Sequence, residues 1–160
     1  MDVSDISGGD LFKKKIDQAL YECKVFIPII DNEWTGVINP ATGENRISLA
    51  DDFIAFEVQS ALLRNKAIIP VLMENSSLPQ TDELPTNIQS LFLYNVKRLK
   101  HESWERDVQD LTNTLYKYLP NSQKKFQAFI SCPMTSLNDG IKYLELKQTV
   151  RNVILFQGFS

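Results

Sequence analysis

Leu11, Phe12, Ile16, Ala19 and Leu20 recur at three- and four-residue spacing, which predicts a helix ending near Glu22-Cys23. Ahead of it, Ser7-Gly8-Gly9-Asp10 is a turn signal, with Asp10 positioned to cap a helix that begins at Leu11. Val25-Phe26-Ile27-Pro28-Ile29-Ile30 is continuously apolar and predicts a buried strand. Pro28 cannot donate to a ladder, so it predicts an edge position or a bulge. Residues 31–50 form a long loop holding Trp34, Gly36, Pro40 and Gly43, and loops of this length inside compact domains are usually functional or mobile.

The next run, Asp51 to Asn65, is a helix with one carboxylate at the edge of its apolar face. At about 100° per residue, Ile54, Val58, Ala61 and Leu62 share a side. Glu57 sits beside them, one turn after Phe53 and one turn before Ala61. A carboxylate there is partly desolvated, so it is paired, protonated or used. Ala67 to Met73 follows as a strand of the kind buried on both faces in a parallel sheet. Beyond a polar loop, Leu84-Pro85 opens a short helix to Leu91 or Phe92. Asn95 to Leu99 is a short alternating strand. Glu102 to Tyr118 is a second long amphipathic helix striped by Trp104, Val108, Leu111, Leu115 and Leu119, and Pro120-Asn121-Ser122 closes it.

This alternation predicts an α/β fold, a flavodoxin-like parallel sheet flanked by helices. Such folds hold ligands at the carboxyl ends of their strands, which brings Glu57 near a ligand edge. Residues 1–119 supply only three strands, too few for a doubly wound domain. The 160 residues are 43% apolar, enough for one real core. A net charge of −3 offers no basic field for nucleic acid; Lys13-Lys14-Lys15 and Lys124-Lys125 read as solvated faces. With one histidine, His101, and two widely separated cysteines, Cys23 and Cys132, no zinc spacing exists. No apolar run approaches a membrane span and no signal peptide is present, so the chain reads as soluble and cytoplasmic, with reduced thiols.

In this order the elements resemble a TIR (Toll/interleukin-1 receptor) domain of the bacterial type, from about Ile6 to Leu119. Ile6-Ser7-Gly8-Gly9-Asp10 resembles the family's BB loop, and Ile16 to Cys23 its second helix. Val25 to Ile30 with Trp34 is similar to its third strand and following aromatic. Arg46 to Phe53 with Phe56-Glu57-Val58 is similar to its catalytic helix, and Ile68 to Leu72 with Leu84-Pro85 continues in register. The resemblance implies that Glu57 is the glutamate required for NAD⁺ cleavage. It makes Phe53, four positions earlier, a pocket residue, and suggests nucleotide contacts for Trp34, Gly8 and Gly9. NAD⁺ would be the substrate, with no bound cofactor and no metal. Sites in this family are often completed by a neighbour's loop, which implies self-assembly with other TIR domains, with neither nucleic acid nor membrane as partner.

The family begins with a strand, a helix and a second strand that have no counterpart ahead of the BB loop here. Residues 126–160, after a linker at 120–125, open with the strand pattern Phe126 to Cys132, then Pro133-Met134-Thr135 and a helix from about Gly140 to Phe156. This stretch resembles the start of a nucleoside deoxyribosyltransferase-like domain. It is read either as the start of a second α/β domain or as a strand-helix unit filling the empty first-strand position, in cis or from a neighbour. The former is preferred because ordinary domain boundaries are commoner than swapping.

Cleaving the nicotinamide–ribose bond leaves positive charge on the ribose and releases a neutral base, so the chief requirement is a fixed anion beside the ribose. Two functions fit: an NAD⁺ glycohydrolase or cyclase in bacterial immune or stress signalling, activated by assembly, or a non-catalytic module recruiting other TIR domains. Plainer roles stand beside the catalytic ones. Glu57 could pair with Arg64 or Lys66. Phe53 fits core and pocket wall equally well, and Gly8 and Gly9 could serve turn geometry alone. Asp51 and Asp52 read as helix caps. Ser131, without a histidine nearby in sequence, is a poor nucleophile.

Overall fold

The computed structural model describes residues 8–36, 38–118 and 128–131. The expectations for Ile6, Ser7, Leu119, the 120–125 linker, Cys132 and the 140–156 helix lie outside them. The described chain is an α/β fold. A parallel sheet is built from β1 (Val25–Ile30), β2 (Ala67–Ile68), β3 (Val71–Met73), β4 (Lys97–Leu99) and β5 (Ala128–Ser131). Helices α1 (Gly8–Glu22) and α2 (Phe53–Leu63) cover one face, and α3 (Trp104–Tyr116) covers the other.

All six residues of β1 are buried, and their alternation divides the core. Phe26 and Ile30 join Ile16 and Leu20 of α1 and Ile54, Val58 and Ala61 of α2. Val25, Ile27 and Ile29 join Val108, Leu111 and Leu115 of α3. A strand with helices on both faces must be apolar at every position, which is why 25–30 and 67–73 read as unbroken runs rather than alternating ones.

Pro28 does not lie at an edge, and no bulge surrounds it. Along one side of β1, Val25 pairs with Ala67 and Phe26 with Ile68, then Ile29 with Val71 and Ile30 with Leu72. The offset is 42 throughout (67 − 25 and 72 − 30), so β2 and β3 are halves of one run in a single register. That register sets Pro28 opposite Pro70 (28 + 42). The Phe26 carbonyl accepts from the Ile69 N–H at 3.0 Å, and alternation points Pro28 to the same neighbour, where its missing N–H deletes one rung. The Pro70 carbonyl turns the other way and accepts from Lys97 of β4 at 2.8 Å. Pro28 thus interrupts the ladder between β1 and the 67–73 run without shifting it, while Pro70, at the same level, faces β4.

The opposite edge of β1 is taken by β5, in parallel, from Val25 with Ala128 to Pro28 with Ser131. Phe129 stacks on Phe26 with ring centroids 5.8 Å apart and planes 25° apart. The sheet therefore gains a strand from a segment about a hundred residues downstream of β1. Phe129→Ala is expected to lower stability by about 2 kcal/mol in urea unfolding, from lost burial and the lost ring pair. An unchanged midpoint would mean that residues 128–131 are not on β1.

Candidate functional site

The helices α1 and α2 run side by side in the same direction. Phe12 meets Phe53 edge to face at 4.8 Å, Asp17 pairs with Arg64 at 2.6 Å, and the Lys66 ammonium donates to the Tyr21 and Cys23 carbonyls at 2.9 and 2.8 Å. Both amino termini therefore open at the carboxyl end of the strands, where α/β folds place their ligands.

Gly8 and Gly9 lie within the first turn of α1, not in a turn before it, and Asp10 is a first-turn residue rather than the cap. The first four N–H groups of a helix make no intrahelical bonds, so this turn tolerates glycine, and an acidic residue there is favoured by the helix dipole. Phe53 is the first residue of α2 and more than a third exposed. Phe12 and Leu11 beside it are about half exposed. Together with Lys13, whose ammonium lies 5.6 Å from the Phe56 ring centre, they give this end of the helix pair an aromatic lip with a cation.

One turn inside α2, the half-buried Glu57 accepts a hydrogen bond at Oε2 from the hydroxyl of Ser131. The serine is almost fully buried. It reaches Glu57 because it is the last residue of β5, two positions beyond Phe129 and so on the same face of the sheet. Arg64 and Lys66, the cations proposed as plain partners for Glu57, are engaged with Asp17 and with the carbonyls of Tyr21 and Cys23.

The long 31–52 loop is fastened to α2 rather than hanging free. The Arg46 guanidinium donates to the Trp34 carbonyl at 2.8 Å and pairs with the Asp52 carboxylate. Asp52, nearly closed off from water, also caps α2 by accepting the Ala55 N–H at 2.8 Å. Gly36, at φ +81°, is the one residue type that fits beneath this arm: a Cβ there would come within 2.5 Å of the Arg46 Cβ. Trp34 is fully buried in the core formed with α1 and α2, and its indole N–H finds no hydrogen-bond partner among the described residues. Its tie to the site runs through its carbonyl, not its ring.

Among the described residues no cluster of histidine, cysteine and carboxylate side chains could hold a metal ion. Cys23 is buried with its thiol donating to the Leu20 carbonyl at 3.3 Å; burial pushes the thiol pKa up, against the lowering effect of the Lys66 charge. That makes it a packing residue rather than a nucleophile. His101 is exposed in the turn before α3.

The arrangement is a partly desolvated carboxylate, held by a buried hydroxyl and bordered by aromatic rings. It can stabilise a developing cation or accept a proton. Ser131 is the functional residue that the sequence alone hides, since judged as a nucleophile it is a poor one. The available signal was its strand parity with Phe129. Arg46 belongs to the stretch that resembles the catalytic helix, but its part as the bridge between the loop and the cap has no signal in the sequence.

No family model matches the chain, and no curated protein matches it.

Asp52 serves as cap and as ion-pair partner, and two substitutions separate those roles. Asp52→Ala is expected to cost about 2–3 kcal/mol and Asp52→Asn, which keeps the cap, about 1 kcal/mol. The figures sit below those of a fully buried pair because the Arg46 side chain is 32% exposed and water screens it. Equal losses in chemical denaturation would show that the pairing with Arg46, not the cap, carries the effect.

Proposed function

We propose that this chain cleaves the bond between nicotinamide and ribose in NAD⁺, with Glu57 as the anion beside the reacting carbon. The observation that carries the reading is a half-buried carboxylate held by Ser131 at the carboxyl edge of a parallel sheet, together with the resemblance of the chain to TIR domains. In the reaction, the C1′–N1 bond breaks and its electron pair leaves with nicotinamide as a neutral base. Positive charge spreads over C1′ and the ring oxygen, where a fixed carboxylate lowers the barrier. Water then attacks C1′ and gives up a proton, with Glu57 as acceptor, leaving ADP-ribose. Attack from within the molecule by an adenine nitrogen or a ribose hydroxyl gives a cyclic product by the same first step. The rings of Phe53 and Phe12 offer an apolar border for the flat nicotinamide, and the adjacent helix amino termini suit a pyrophosphate.

In this account the enzyme works in the cytoplasm of a bacterium, in immune or stress signalling, and is switched on when several copies assemble. No helix among the described residues is long and apolar enough to cross a membrane. The exposure of Leu11 and Phe12 favours a second reading, a non-catalytic module that recruits TIR-like partners through this lip. The two readings part on one residue.

Incubation of the purified chain with NAD⁺, followed by chromatography of nicotinamide, is expected to give release that rises steeply with protein concentration. Glu57→Gln should lower the rate at least a hundredfold while leaving the far-ultraviolet circular dichroism intact. Release that persists in Glu57→Gln would remove Glu57 from the chemistry. No release from the parent chain, with association lost in Phe12→Ala, would favour the recruiting module.

A further inference from the structure

We infer that Ser131 is a positioning residue for Glu57, and that the docking of β5 on β1 is what assembles the site. The inference rests on the proposed role of Glu57 and extends it to a residue 74 positions away in sequence. Ser131 is 1% exposed, so its hydroxyl needs a partner within the protein. An ionised carboxylate only accepts, so the serine O–H is the donor and Oε2 of Glu57 the acceptor. A glutamate side chain has three rotatable bonds and samples many positions when unrestrained. One hydrogen bond from the rigid end of a strand reduces these to the set that keeps the carboxylate at the sheet edge.

Three features separate this role from others the serine could take. Its hydroxyl is almost fully buried and is spent on Glu57, with no histidine against it to take its proton among the described residues, which argues against a nucleophile. It belongs to a strand held along four residue pairs from Val25–Ala128 to Pro28–Ser131, so the donor is fixed by backbone pairing. And Phe129, on the same face two residues earlier, stacks on Phe26, which sets the rotation of the strand about its axis. Undocking β5 would remove the donor and the rigid floor together. The carboxylate and the strand that orients it thus come from segments 74 residues apart in sequence, and a productive site requires both.

Threonine and valine at 131 have nearly the same shape and differ in the hydroxyl, so they separate orientation from packing. In the full chain, kcat for nicotinamide release is expected to fall about 10–100-fold in Ser131→Val and Ser131→Ala, with KM within about twofold, because misplacement of a catalytic group acts on the chemical step. Ser131→Thr is expected to retain at least ten times the kcat of Ser131→Val. Equal kcat in the threonine and valine variants would overturn the inference. A second readout does not depend on turnover: the side-chain carboxyl carbon resonance of Glu57, assigned by its loss in Glu57→Gln. It should shift in the valine and alanine variants and stay near the parent position in the threonine variant. A resonance indifferent to all three substitutions would overturn the positioning role even if NAD⁺ were cleaved. A parent chain that released no nicotinamide but showed the expected resonance pattern would refute the proposed reaction and leave the hydrogen bond standing.

Discussion

Both faces and both edges of one short strand, Val25 to Ile30, are occupied, and the remaining elements take their places from that. A parallel strand without a neighbour leaves a row of backbone N–H and C=O groups unpaired, which is costly in a buried setting and hazardous in an exposed one. The 67–73 run covers one edge of β1 and residues 128–131 cover the other. The two faces are covered by α1 with α2 and by α3. Once β5 is placed by its backbone, Phe129 and Ser131 must point to the α2 side, and Ser131 arrives against Glu57. The contact that shapes the candidate site is a consequence of closing the sheet edge.

The same carboxyl edge collects the other functional features. The amino termini of α1 and α2 open there, with Phe12 against Phe53. The 31–52 loop returns to it through Arg46, which joins the Trp34 carbonyl to the cap of α2. Loops commonly carry function on rigid scaffolds, but here the long loop's main visible task is to fasten the start of the helix that bears Glu57. A carboxylate used for electrostatic stabilisation has to be fixed before the substrate arrives. Two independent supports, a capped helix beneath it and a strand-end hydroxyl beside it, meet that requirement.

The element order was legible because its signals are local. Helical spacing in 11–20, 54–62 and 104–115, and the apolar runs at 25–30 and 67–73, mark the helices and strands to within a few residues. Glu57 was visible as a carboxylate at the edge of an apolar stripe. The misses have physical causes. Pro28 suggested an edge or a bulge because a single proline is normally excluded from a central strand. Its placement opposite Pro70 depends on register, which no local pattern encodes. Gly8 and Gly9 carry turn character, yet the first turn of a helix tolerates them as well. For residues 128–131 the apolar pattern gave a strand with two possible homes, and nothing within those few residues names the edge they pair with. Ser131 was hidden for the same reason, since its partner lies 74 residues away.

Ser131 and Glu57, joined by a hydrogen bond within one chain, should be energetically coupled. A double-mutant cycle of Ser131→Ala and Glu57→Ala, read by chemical denaturation at low protein concentration, measures that coupling directly. A hydrogen bond from a buried hydroxyl to a carboxylate is expected to give a coupling of about 1–3 kcal/mol. Additive losses, with a coupling near zero, would contradict it: β5 would then not deliver Ser131 to Glu57, and the site would have to be built without that strand.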